Sequence, residues 1–391
     1  MAIRIDPSVL AEMKRFGAFD IEACFNCGNC TAVCPLSEGN VAFPRRVIRY
    51  AQLGLADHMA ASRELWLCHY CAECSTTCPR QAEPGEFMAS ARRYATARFD
   101  PTTFAHRLYR SRGFTRGALV ALFAVMLAVL LAASPGLPSG RATSETLLAF
   151  VPFDVIHWLG VGVVVVMVLA AVATLVNMFW MISRVPVPGG VGLPAARPER
   201  FPLRAALRAL GTTVADIASQ RTYRDCDAEK PQTIPRFPLR RWFVHFCIMW
   251  GMIGLGAATV LDYIFKTPGS YVPIYYPFRL LGTIAGLLLV YGVTVAIVQR
   301  LRKTDKYYSH TLLSDWVFLG FLWLIGVGGF ILEIAEYVPI GGAWVDIVFL
   351  GHVALAMELI LLLPFTKFAH IVYRPAAMWF NEFRRLRADR V

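Results

Sequence analysis

Residues 24–35 read Cys24-Phe25-Asn26-Cys27-Gly28-Asn29-Cys30-Thr31-Ala32-Val33-Cys34-Pro35. Residues 68–79 repeat the spacing as Cys68-His69-Tyr70-Cys71-Ala72-Glu73-Cys74-Ser75-Thr76-Thr77-Cys78-Pro79. Each run is Cys-x2-Cys-x2-Cys-x3-Cys-Pro. Three closely spaced cysteines can wrap one face of an iron–sulfur cube, while the turn before proline aims the fourth at the neighbouring cube. The spacing therefore predicts two [4Fe–4S] clusters, one on Cys24, Cys27, Cys30 and Cys78, the other on Cys68, Cys71, Cys74 and Cys34. Disulfides are disfavoured where thiols are kept reduced, and structural zinc rarely takes two identical four-cysteine runs ending in Cys-Pro. Thirty-three residues separate Cys34 from Cys68, more than a compact bacterial ferredoxin has. Helical patterning over 47–55 and 57–67 predicts an all-helical setting. Cys226 and Cys247 stand outside any motif and read as ordinary side chains.

Beyond these runs the composition is that of a membrane protein. Of 391 residues 56% are hydrophobic and only 17% charged, with a mean hydropathy of +0.49. Soluble chains run at about 45–50% apolar and about 25% charged. Disorder, collagen and a secreted disulfide scaffold are excluded. Six apolar segments, 118–133, 155–182, 242–261, 280–298, 316–332 and 347–372, approach the roughly 20 residues that a span requires. Gly251, Gly254 and Gly256 suit close packing between membrane helices. No cleavable signal peptide is predicted. The expected fold is all-α: a helical ferredoxin domain over 1–116, then a six-span bundle over 117–391 with a long connection at 183–241.

The net charge of +12 would suggest nucleic acid on a soluble chain, but its placement says otherwise. Five Lys and Arg residues fall in 98–116, eleven in 183–241, four in 299–315 and five from Tyr373 onward. The alternate connections carry one (134–154), two (262–279) and none (333–346). This is the positive-inside pattern. It predicts a multi-pass protein of the cytoplasmic membrane, with both termini and the cysteine domain in the cytoplasm, and no nucleic-acid partner. In the long connection, residues 202–220 space Leu203, Leu207, Leu210, Val214 and Ile217 along one helical face, beside Arg204 and Arg208. The pattern fits an amphipathic helix on the cytoplasmic interface, on a partner subunit, or on the chain itself.

Ionisable groups inside a span are functional candidates. Four of eight histidines fall there: His157, His245, His352 and His370. His352 and His370 share the last segment, 18 residues apart. On one straight helix they would face the same way, about 27 Å apart along the axis. Two axial ligands at opposite membrane faces describe a two-haem wire. His245 is level with His370 and would complete the inner site, while His157 would pair with His352 at the outer one. Glu358 and Lys367 flank Pro364 in the same segment and are candidates for quinone protonation or haem-propionate pairing, with an internal ion pair or snorkelling as the competing reading. His58, His69, His106 and His310 lie outside the spans, although His69 adjoins Cys68 and could tune a cluster.

Both halves carry a resemblance. Residues 20–90, with the paired cysteine runs and Leu65-Trp66-Leu67 before the second, resemble the iron–sulfur protein HdrC of heterodisulfide reductase, whose helical dicluster fold is also that of the succinate dehydrogenase iron–sulfur subunit. The membrane half is similar to the cytochrome b subunits of heterodisulfide reductase (HdrE) and respiratory nitrate reductase, through the histidine pair of the last segment and the Phe-x-x-His245 span with its glycines. In the nitrate reductase pattern a second histidine stands ten residues after His245. Here that position is Leu255, so the resemblance implies one haem b, or two if His157 replaces the missing ligand. The fusion of both halves resembles the C subunits of quinone-interacting membrane-bound oxidoreductase (Qmo) complexes. That resemblance implies an electron-transfer subunit linking menaquinone, through haem b and the clusters, to flavin and iron–sulfur subunits of the HdrA type (QmoA- and QmoB-like). It also implies adenylylsulfate (APS) reductase beyond them, in dissimilatory sulfate metabolism. Another heterodisulfide-reductase-like complex, or a membrane redox sensor or anchor without turnover, are the alternatives.

Overall fold

The computed structural model describes residues 5–37, 41–134, 144–185, 203–228, 236–265, 267, 270–308, 310–338 and 340–388. Among them every extended element is a helix. The cysteine-bearing part comprises α1 (Val9–Arg15), α2 (Asn29–Ala32), α3 (Arg45–Gln52), α4 (Ala56–Ala60), α5 (Glu64–Leu67), α6 (Glu73–Thr76), α7 (Pro84–Phe99) and α8 (Phe104–Arg110). The helical patterning of 57–67 resolves into two short helices. The Ser62 N–H reaches back to Met59 (3.2 Å) and its hydroxyl to the His58 carbonyl (2.8 Å), which ends α4 before α5 begins.

The two cysteine runs fold alike. Asn26 and Gly28 take left-handed φ values of 61° and 96°, and Tyr70 and Ala72 take 56° and 67° at the equivalent positions. These twists lead directly into the one-turn helices α2 and α6, which carry Cys30 and Cys74. Each turn closes on the fourth cysteine, Cys34 N–H to Thr31 (3.3 Å) and Cys78 N–H to Ser75 (3.4 Å). Glycine accepts this conformation freely. Ala72 bears a steric cost of about 1–2 kcal/mol, so the loop geometry is imposed by its surroundings.

The membrane part follows as α9 (Arg112–Ala132), α10 (Ser144–Phe150), α11 (Phe153–Arg184), α12 (Leu203–Ser219), α13 (Arg221–Ala228), α14 (Arg241–Phe265), α15 (Pro277–Arg302), α16 (Leu313–Tyr337), α17 (Ala343–Leu361) and α18 (His370–Ala388). Six of these, α9, α11, α14, α15, α16 and α17, are long and apolar enough to cross a bilayer, and the chain is a multi-pass membrane protein. Helix α11 leaves Val164, Val165, Val166, Leu169 and Val176 exposed, a surface that only lipid or another apolar body would cover. Helices α14 and α15 pack backbone to backbone. A Cβ at Gly251 would stand 2.7 Å from the Leu289 nitrogen and 2.8 Å from the Ala285 oxygen, and one at Gly254 would meet Ala285 Cβ at 2.7 Å. Gly256, grouped with them from sequence, faces open space.

The last apolar segment, 347–372, is not one helix. Helix α17 stops at Leu361, because Pro364 supplies no N–H to continue the ladder and Thr366 is extended at φ −116°, ψ −166°. The chain restarts at His370 as α18, an amphipathic helix. His352 and His370 therefore do not share a helix axis, and the expected common face and 27 Å separation do not hold.

Helix α18 instead binds the two halves together. Tyr373 is fully buried, its ring 5.0 Å from Trp66 and 5.3 Å from Phe99. Ala377, with Met178 and Met181 from the end of α11, joins the same core. Arg241 donates to the Tyr70 carbonyl (2.9 Å), and Lys306 donates to the Ser75 carbonyl (3.1 Å) and pairs with Glu83 (3.0 Å). The segments rich in Lys and Arg thus lie on the cysteine-bearing face. Helix α12 packs on α18 through Ala205, Ala206 and Ala209, with Trp379 donating to the Ala206 carbonyl (3.1 Å). Its leucine stripe, Leu203, Leu207 and Leu210, points outward, so the helix rests on its own chain by its alanine face.

Candidate functional site

The eight motif thiols gather at the junction of α2, α6 and the loops before them. Burial raises the Cys24 thiol, and Cys78 and Cys27 add like-charge repulsion. Burial likewise raises Cys30, with Cys24, Cys27 and Cys78 as its charged neighbours. Cys34 is pushed up to about 12 by burial, its neighbours being Cys68, Cys71 and Cys226. Cys74 is raised well above the ordinary range, again by burial first, then by Cys68, Cys71, Cys34 and Cys30. The fourth cysteine of each run therefore sits in the field of the other run. Thiols that burial holds protonated need a cation to ionise, and iron supplies that charge. Among the described residues no three Cys, His, Asp or Glu side chains converge as the ligands of a single ion do.

Directly beneath lies a cavity of about 440 Å³. Its walls present His245, from the first turns of α14, and His370, the first residue of α18. Their ring centroids are 6.4 Å apart. Imidazole nitrogens bind metals at about 2 Å, so two rings sharing one ion would have centroids about 6 Å apart. His370 Nδ1 lies 2.7 Å from the Lys367 carbonyl, which fixes its proton there and leaves Nε2 free for a metal. His245 Nδ1 lies 2.9 Å from the Gln220 side-chain amide. With the amide N–H turned to His245 and Met249 Sδ (3.3 Å), Gln220 Oε1 has no partner; with the amide oxygen turned to His245 it accepts from Nδ1–H, the tautomer that leaves Nε2 for a metal. Gln220 reaches this position because it takes a left-handed φ of 49° between α12 and α13.

The cavity rim is basic. Arg92 donates to the Leu65 and Cys68 carbonyls (2.7 and 2.6 Å) and Arg374 to the Cys68 carbonyl (3.3 Å). Arg241 lies 3.8 Å over the Tyr307 ring. Lys367 pairs with buried Asp315, which Arg93 also approaches at 3.9 Å. With cations held largely by carbonyls and rings, the rim has charge left for anions such as haem propionates. The histidine pair, the engaged Nδ1 atoms and the basic rim fit a b-type haem.

A line of rings joins the cavity to the second cysteine run. His69 stacks on Tyr223 at 5.3 Å and 18°, and Tyr223 meets His245 edge-on at 5.5 Å. Burial, then Arg374 and Arg92, hold the His69 pKa far below that of an ordinary histidine, so this ring is neutral. The sequence marks His69 only by its place beside Cys68. Gln220 and Tyr223 carry no motif, and their one signal is the amphipathic helix that leads into them.

Residues 20–82 match the 4Fe–4S dicluster domain model. Residues 112–389, well over half of the chain, match the model described as Citrate utilization protein B. The chain belongs to the Citrate utilization protein B family. Its N-terminal part is similar to the C subunit of the H(2):CoB-CoM heterodisulfide,ferredoxin reductase of Methanothermobacter thermautotrophicus, 34% identical over 91 residues, covering 23% of this chain and 49% of that one. Its membrane part is similar to the E subunit of the dihydromethanophenazine:CoB–CoM heterodisulfide reductase of Methanosarcina mazei, 27% identical over 246 residues, 56% of this chain and 92% of that one. The chain spans about half the length of the HdrC relatives it matches. No solved structure matches it. The chain thus joins an HdrC-like dicluster domain to an HdrE-like membrane region.

In this member of the family the expected outer histidine pair is not assembled. His157 stacks flat on Tyr263 (4.9 Å, 2°) and on Phe153. His352 packs on the α16 glycines, 3.3 Å from the Cβ position of both Gly328 and Gly329. At 100° per residue His352 lies about opposite Leu350, Ala354 and Met357, the face of α17 that clusters with Val163 of α11. It therefore points away from the helix that carries His157. Glu358 is buried in α17 with Oε1 unpartnered among the described residues, and it does not line the cavity that holds His245 and His370. Lys367 does.

Proposed function

We propose that the chain is the membrane electron-transfer subunit of a heterodisulfide-reductase-like oxidoreductase complex, with the ferredoxin domain at 1–116 and the haem b domain at 117–391. It would link the menaquinone pool, by way of haem b and two [4Fe–4S] clusters, to cytoplasmic flavin and iron–sulfur subunits. The ligand sets are Cys24, Cys27, Cys30 and Cys78 for one cluster, Cys68, Cys71, Cys74 and Cys34 for the other, and His245 with His370 for the haem. Haem and clusters supply one-electron carriers there. The observation that carries the reading is the meeting of His245 and His370 at 6.4 Å, one ring away from the His69–Tyr223 stack on the second run.

The chain's own residues then have separable tasks. Lys367 CO and Gln220 orient the two imidazoles. Arg241 and Arg374 would neutralise propionates, while Lys367 is held in an internal ion pair by Asp315. Arg92 and Arg374, by gripping the Cys68 carbonyl, fix the second cysteine loop against the membrane domain. Oxidation of one menaquinol releases two electrons, taken singly, and two protons, which pass to water on the cytoplasmic face. The positive-inside charge pattern supports that orientation. Continuity from cavity to cysteine runs favours electron transfer over a sensor or anchor without turnover.

The test is anaerobic addition of a menaquinol analogue to the purified complex, reading haem absorbance and then cluster paramagnetic resonance. Sequential reduction of haem and clusters is expected. A haem that stays oxidised overturns the reading. The proteins that co-purify name the soluble partner. QmoA- and QmoB-like subunits, with APS reductase, would place the complex in sulfate metabolism. A soluble partner tied to citrate utilization, the term in the family's description, would place it elsewhere.

A further inference from the structure

A second cavity, of about 370 Å³, opens beside the first. Small-molecule sites span about 300–1,000 Å³ and combine apolar walls with a few polar groups. This one lies between the α8–α9 corner and the start of α16. Its walls are apolar where Leu119, Val317 and Phe365 line it, and basic at the outer rim, where Lys14, Arg110 and Arg112 stand. Val120, the neighbour of Leu119, is 70% exposed on the lipid-facing side of α9. The cavity is therefore placed at the edge of the bilayer on the cysteine-bearing face.

Its inner wall is shared with the histidine cavity. Phe318 lines both, and its ring lies 6.3 Å from that of His370. Tyr109 and Ser314 also line both. Neither of these hydroxyls is hydrogen-bonded within the described chain, although both residues are half-buried. Lining hydroxyls left without partners mark a place where a ligand's acceptors are met.

We propose that this cavity holds the ring of a lipid-soluble quinone, its carbonyl oxygens accepting from Tyr109 and Ser314 and its face against Phe318. The tail would leave between α9 and α16 toward lipid. A phospholipid headgroup would match the basic rim. It would have no use for a flat aromatic wall shared with the histidine pair, where the cation at that wall, Lys367, 5.7 Å from the Phe318 ring, is already paired with Asp315. The inference rests on the quinone reading above and locates it, at the inner haem rather than near Glu358 or His352.

Two experiments on the purified complex in lipid nanodiscs test it. In the first, an azido-naphthoquinone is photolysed and the labelled peptides identified. Labelling within 109–119 and 312–318, displaced by excess menaquinone analogue, is expected. Labelling confined to other segments, or displaced by anionic phospholipid and not by quinone, overturns the proposal. In the second, Val317→Trp fills the cavity, and haem reduction by menaquinol should slow at least about tenfold while dithionite still reduces the haem fully. Equal menaquinol rates in variant and wild type overturn the cavity assignment and leave the electron-transfer reading standing. Wild-type haem that no quinol reduces sinks both. Should Val317→Trp lose its haem, Tyr109→Phe serves instead. Loss of one hydrogen bond should weaken azidoquinone labelling about three- to tenfold, and unchanged labelling contradicts the proposal.

Discussion

Gln220 offers a way to test the proposed haem site without removing a ligand. Its amide meets His245 Nδ1 at 2.9 Å, and the side chain is buried. A histidine whose Nδ1–H is accepted by an oxygen is a stronger donor to its metal and favours the ferric state. Gln220→Leu removes that acceptor. A hydrogen bond of this kind contributes about 0.5–1.5 kcal/mol, and for a one-electron couple about 1.4 kcal/mol corresponds to about 59 mV. If the whole interaction discriminates between oxidation states, the haem midpoint should rise by up to about 20–65 mV. Gln220→Glu places a carboxylate at the same atom, pulls harder on the proton and should lower the midpoint. The assay is a potentiometric titration of the haem absorption band in nanodiscs, with haem content measured beside it. Haem affinity in the leucine variant should also fall, by about 10–100-fold for a lost outer partner. Opposite shifts in the two variants support the geometry. Midpoints that do not move in either, with full haem content, refute the role given to Gln220.

Other consequences can be checked separately. Gly251→Ala puts a methyl group 2.7 Å from the Leu289 nitrogen and should destabilise the α14–α15 pair by about 1–3 kcal/mol. Gly256→Ala, in open space, should leave thermal unfolding in detergent within about 0.5 kcal/mol of wild type. Cys78→Ala should erase the paramagnetic signal of the cluster on Cys24, Cys27 and Cys30, and Cys34→Ala that of the other. The reverse pattern would contradict the crossed ligand sets. His352→Ala should keep the haem spectrum of the parent, because His352 packs on Gly328 and Gly329. A halved haem content would restore an outer haem to the account.

Much of this architecture is legible in the sequence because local chemistry dictates it. Cysteine spacing announces a dicluster domain, and long apolar runs announce spans whatever their packing. The inner histidine pair is legible for a similar reason, since two residues at one depth of a bundle have few places to go. The outer pair does not form because His352 faces the glycines of α16 while His157 stacks on Tyr263, and the common axis of His352 with His370 is lost because helical arithmetic does not carry across Pro364. There the ladder breaks, and α18 turns back to serve the iron–sulfur core with Tyr373 and Arg374. Gln220 and Tyr223 are not legible. They reach His245 from a connection with no motif of its own, through a single left-handed residue at the α12–α13 turn. Asp315 is hidden likewise, since its partners Lys367 and Arg93 come from distant segments.

Whether His245 and His370 hold one haem at the iron–sulfur face is read from the haem content of the purified full chain set beside that of His370→Ala. One b-type haem per chain with two histidine ligands is expected in the parent, and none in the variant, whose clusters remain. A variant that keeps the parent's haem and its spectrum would refute the assignment.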